Sequence, residues 1–154
     1  MLLHFVLLAL HLLAAAFWVG GMAAMHFAAR SAAGAVLEPP ARLTFLSAAL
    51  TRFFRGVQAA LAVLFLSGLA MFFLHGGFGD AHWRVYAMFG VAVVMAGLFD
   101  HARKRPLPAL QRAVASSDWK AGAACVARIR RVVTINIGLG VAVFVIATVG
   151  RVVG

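Results

Sequence analysis

A single cysteine, Cys125, and four acidic residues stand in a chain of 154. One cysteine excludes an internal disulfide and any CxxC thiolate site. Of the four carboxylates only Asp100 borders an apolar block, which argues against paired-carboxylate catalysis. No GxSxG or HExxH occurs, there is no internal repeat, and "GGFG" lacks the lysine and helix start of a phosphate loop, so it reads as a turn. Charge is scarce at 12%, against about 25% in ordinary soluble domains. In its place 64% of the residues are hydrophobic, and mean hydropathy is +0.99. The apolar residues fall in blocks, the pattern of an all-α, polytopic membrane protein. The net charge of +10 does not point to nucleic acid, because no soluble domain remains to carry such a surface. It reads as membrane topology instead.

Four blocks are long enough to cross a bilayer, at approximately 2–29, 56–74, 85–99 and 132–150, in one membrane domain covering 1–154. Helices are expected, since an open sheet would leave backbone groups unpaired in hydrocarbon. The first block lacks the positive flank of a cleaved leader and exceeds its usual length, so it is expected to be retained. Amphipathic segments are expected at about 42–55, leading into the second span, and 117–131, leading into the fourth; the prolines of "RKRPLPAL" break the chain between them. Arg30, Arg42, Arg52 and Arg55 lie in and beside the first connection, and Arg103, Lys104, Arg105, Arg112, Lys120, Arg128, Arg130 and Arg131 in the third. The second connection holds only Arg84, balanced by Asp80, and Arg151 follows the last span. The basic connections face the cytoplasm by the positive-inside rule, giving a four-helix, N-out/C-out bundle. Trp83 and Tyr86 suit its outer interface.

The first block contains no Lys, Arg, Asp or Glu but three histidines, His4, His11 and His26. A polar side chain within a membrane segment points to a functional site facing the bundle interior. At 100° per residue His4, Trp18, Met22 and Met25 fall within about 40° of His11, with His26 slightly further round. The second block puts Ser67, Met71 and His75 on one face, and His82 opens the third. By depth His4, His11, His75 and His82 are outer, whereas His26 and His101 are cytoplasmic. Asn136 and Gly140 in the fourth block read as interhelical glue, and Gly20 and Gly21 as points of close approach.

Two chemistries fit. Imidazole with thioether and no thiolate cluster is a ligand set for copper, with His11 central, His4, His75 and His82 around it, and Met22, Met25 and His26 continuing inward. The same histidines could hold haem b as axial ligands between helices, drawn from His11, His75 and His82, with His26 and His101 serving a second haem. Such a protein would pass electrons from a quinol or oxidise a porphyrin precursor. A third reading is a small scaffold whose basic loop binds anionic lipid or a partner. An external partner would be a periplasmic copper carrier or a quinol, and a homodimer is compatible with the bundle.

Read in order, "HLLAAAFWVGGM", "EPPARL", "RFFRGV", "GGF", "QRAVASSDWKAG", "ARIRRVVTINIGLG" and the final "GR" resemble the short, four-helix members of the copper resistance D (CopD-like) family. That resemblance implies an inner-membrane protein linked to copper uptake or tolerance, with His11 as the motif residue carried over first. The better-known members of that family are larger, with additional helices. The first helix also resembles, more distantly, that of the membrane protoporphyrinogen oxidases, whose first-helix histidine is tied to haem.

Overall fold

The computed structural model describes residues 1–78 and 82–149. Gly79, Asp80 and Ala81, and residues 150–154 with Arg151, lie outside the described residues, and so do the expectations placed on them. All regular structure among the described residues is helical. The first rod comprises α1 (Leu2–Ala23), a π-helical turn (Ala24–Ala29) and α2 (Arg30–Val36). Then follow α3 (Pro39–Leu74), α4 (Trp83–Lys104), α5 (Pro106–Ala115) and α6 (Trp119–Val149). Four helical rods are long and apolar enough to cross a membrane: Leu2–Val36, Pro39–Leu74, Trp83–Ala115 and Trp119–Val149.

Each rod is longer than its apolar block. At 1.5 Å per residue, the 36 residues of α3 extend about 54 Å, well beyond a hydrocarbon core of about 30 Å. Its N-terminus is set by Pro39 in the first turn, where the missing N–H has no intrahelical partner to lose. The amphipathic stretch 42–55 thus lies in the lower half of α3, and of 117–131 the part from Trp119 on lies in that of α6. These overhanging segments sandwich α5 and form a cap at the basic end.

The prolines of "RKRPLPAL" do end α4, at Arg105 (φ −115°, ψ −73°), but Pro106 then starts α5, a helix that the sequence reading left out. A proline in the first turn costs a helix nothing, so one residue both breaks and restarts the path. The C-terminus of α5 is closed by Ser117 in the left-handed region (φ 56°), with Asp118 N–H donating to the Ala113 carbonyl at 2.8 Å. Asp118 then caps α6, its carboxylate accepting from Ala121 N–H at 2.9 Å.

Successive rods run antiparallel. His4 meets His75 at one end of the α1–α3 pair, and Gly34 lies beside Arg42 at the other. α4 pairs with α6, and Val19 of α1 sits in the notch of Gly140 of α6, where a Cβ would lie 2.7 Å from its methyl. Gly21 serves the same purpose against Phe53, and Gly56 against Phe17, whereas Gly20 faces open space. The core joins Trp18, Met22, Phe54, Val57, Met95, Phe99, Leu110 and Ile129. No helical residue before Ala14 on α1, after Ser67 on α3, before Met95 on α4 or after Gly140 on α6 is buried. Close packing is therefore concentrated toward the basic end.

Candidate functional site

At the end that charge assigns to the outside, α1 and α3 bring three histidines onto one interface. The deepest is His11. Its Nδ1 lies 3.0 Å from the Leu64 carbonyl oxygen and 3.1 Å from Ser67 Oγ. A carbonyl can only accept, so Nδ1 carries the proton. The Ser67 hydroxyl in turn donates to the Val63 carbonyl at 2.6 Å, leaving its oxygen lone pairs to face the imidazole. The arrangement fixes the tautomer and leaves the Nε2 lone pair free, as a backbone carbonyl does for many metal-binding histidines.

Gly68 makes this approach possible. A Cβ there would stand 3.0 Å from His11 Cε1 and 3.4 Å from Nδ1. The histidine stripe of the sequence does not reveal this contact. The available signal was the small Ser67–Gly68 pair set between Leu66 and Leu69.

Above His11, the rings of His4 and His75 meet edge to face with centroids 4.7 Å apart. His75 Nδ1 lies 2.8 Å from the Met71 carbonyl oxygen, so it too is protonated at Nδ1 and keeps its Nε2 lone pair. His4 Nδ1 is buried with no hydrogen-bond partner among the described residues. A buried, unpartnered imidazole nitrogen beside a second imidazole with a free lone pair suits a small cation that accepts nitrogen ligands.

The other expected ligands lie elsewhere. His82 is the N-cap of α4, and its Nδ1 accepts from the Arg84 backbone N–H at 3.4 Å and from Arg84 Nε–H at 3.1 Å. A guanidinium at that nitrogen occupies the lone pair and opposes a cation. Met22 is buried in the core, and Met25 packs against it. His26 belongs to the π-turn, meets Phe27 edge to face, and shares a small hollow with Arg30 and Arg130. His101 lines a separate groove with Arg105, Arg128 and Arg131. Among the described residues, no three of His, Cys, Asp and Glu are close enough to form a metal-holding group.

The haem reading gains no support from the described residues. His11 Nδ1 is engaged by the Leu64 carbonyl and Ser67 Oγ. His26 and His101 line hollows that have no residue in common.

Four apolar rods with imidazoles collected at one end define a multi-pass membrane protein. The family model "Copper resistance protein D" matches residues 47–149, more than half of the chain, and the chain belongs to that family. The match takes in Ser67, His75, His82, His101 and Asn136, whereas His4 and His11 precede it. No curated protein and no solved structure matches the chain, and no match supports the likeness to protoporphyrinogen oxidases.

Proposed function

We propose that the protein takes up copper at the outer end of its bundle through His11, His75 and His4, as cargo within a copper uptake or tolerance system. The observation that carries this reading is the pair of Nδ1–H···O=C bonds, from His11 to Leu64 and from His75 to Met71. Each directs an imidazole to present Nε2, and a neutral imidazole is a common copper ligand. Copper resistance is the trait for which the family is named. With the basic connections in the cytoplasm, these nitrogens face the periplasm, where a soluble copper carrier can deliver the ion.

His4 and His75 supply the entry pair. Their rings are in contact near the chain's outer surface, and rotation about the side-chain torsions brings both nitrogens to one ion. His11 lies about 10 Å further in, by the rise of seven residues, and is the next ligand. Met22 and Met25 continue below it as packed core residues, so onward passage requires the helices to part there.

The test is copper retention by the purified, detergent-solubilised protein after dialysis, read by metal analysis. Replacing His75 or His11 with alanine is expected to lower bound copper at least tenfold, by analogy with lost ligand support, while helicity is unchanged. Retention equal to wild type in His4→Ala, His11→Ala and His75→Ala alike contradicts the reading.

A further inference from the structure

A groove of about 420 Å³ opens at the basic end, where α4, α5 and α6 converge. Its lining is His101, Arg105, Pro106, Ala109, Arg128, Arg131 and Val132. Three arginines line this space, and the lining contains no carboxylate. The nearby acid, Asp100, is taken up by Arg103 at 3.2 Å and Lys104 at 2.8 Å. Asp118 is engaged in capping α6. Among the described residues, the positive charge of the groove is therefore uncompensated.

The local sequence builds this concentration. Arg128 and Arg131 are spaced i, i+3 on α6 and share a face, and His101 and Arg105 are spaced i, i+4 at the end of α4. The break at Arg105 turns α5 so that its N-terminal proline also lines the groove. Arginine presents a planar fork of donors that matches phosphate oxygens two at a time.

We infer that this groove binds the phosphate group of an anionic phospholipid from the cytoplasmic leaflet. Depth selects a lipid over a free phosphate. On α6 the change from charged to uncharged sequence falls between Arg131 and Val132, and on α4 it falls between Phe99 and Asp100. Both changes lie at the groove, which places it at the interface where lipid phosphates reside. Pro106, Ala109 and Val132 supply apolar contact beside the cations, as a glycerol backbone and the start of an acyl chain require. Basic pockets between helices on the cytoplasmic side are a recurrent headgroup site. This inference stands apart from the copper reading and shares no residue with it.

The test is native mass spectrometry of the full chain from phosphatidylcholine-containing micelles doped with phosphatidylglycerol, with inorganic phosphate as a separate probe. Wild type is expected to retain phosphatidylglycerol in preference to phosphatidylcholine. The double substitution Arg128→Gln/Arg131→Gln is expected to weaken that retention about 30-fold, from roughly 1 kcal/mol for each cation near the surface. Arg112→Gln/Lys120→Gln removes the same charge elsewhere on the cytoplasmic side and is expected to leave retention unchanged. Ala109→Leu keeps every charge, narrows the groove and is expected to weaken retention, which separates the site from net charge. Equal weakening by both double substitutions would overturn the inference. Saturable inorganic phosphate binding without lipid retention would overturn the lipid assignment in favour of a soluble phosphate.

Discussion

Toward the basic end, from about Trp18, the helices meet through buried side chains such as Phe54, Leu110 and Ile129. Beyond Ser67 on the outer side, α3 and α4 touch through aromatic tips, with Phe72 against Tyr86 at 6.4 Å between centroids. The first region behaves as an ordinary core: α5 wedges between α3 and α6, and removal of a side chain leaves a cavity. The second is two helix pairs with exposed apolar residues, and its histidines gather along α1–α3. The lesson is that stability and chemistry are separated along the membrane normal. Close packing belongs to the basic end, and the proposed copper ligands belong to the other.

This contrast can be broken at graded cost. The largest effect is expected from Leu110→Ala, which deletes a fully buried side chain. It should destabilise the protein by roughly 2–5 kcal/mol, measured by thermal unfolding in detergent, while the protein that remains folded keeps its copper. Ser67→Ala removes one of the two acceptors of His11 Nδ1–H and spares the Leu64 carbonyl. Copper affinity should drop about tenfold, the low end for a supporting hydrogen bond, as read by competition with a chromophoric chelator. Asn136 donates from Nδ2 to the Met95 carbonyl at 3.1 Å across α4–α6, and Asn136→Ala should cost roughly 0.6–1.7 kcal/mol with no change in copper. The smallest effect belongs to the outer half: Leu13, 68% exposed, should tolerate Leu13→Ala within about 0.5 kcal/mol. A large loss at Leu13 together with tolerance at Leu110 would reverse the comparison.

Much of the architecture was legible because membrane segments announce themselves by long uncharged runs, and the basic residues gather at one end. Asn136 reads as interhelical glue from its apolar setting, and its bond to Met95 is of that kind. Helix α5 was hidden because Pro106 looks like a break when it is also an N-terminus. The stripe of histidines was only partly legible. A wheel drawn at 100° per residue holds through α1, but the π-turn Ala24–Ala29 winds more residues into each turn. The smaller rotation per residue keeps His26 near the face that His11 defines, but it lies in a separate hollow beside Arg30 and Arg130. His82 was grouped by depth with His75, yet the neighbouring Arg84 takes its nitrogen, an association that depends on how α4 begins. The Leu64 carbonyl, which fixes the His11 tautomer, carries no mark in a linear sequence because the contact spans more than fifty residues.

The most direct measurement of the central claim is metal analysis and a visible spectrum on one sample of the detergent-purified protein, oxidised and then reduced with dithionite. The account predicts near-stoichiometric copper, no Soret band, and loss of that copper in His4→Ala/His75→Ala. A Soret band with sharp reduced α and β bands, in protein carrying no copper, would contradict it.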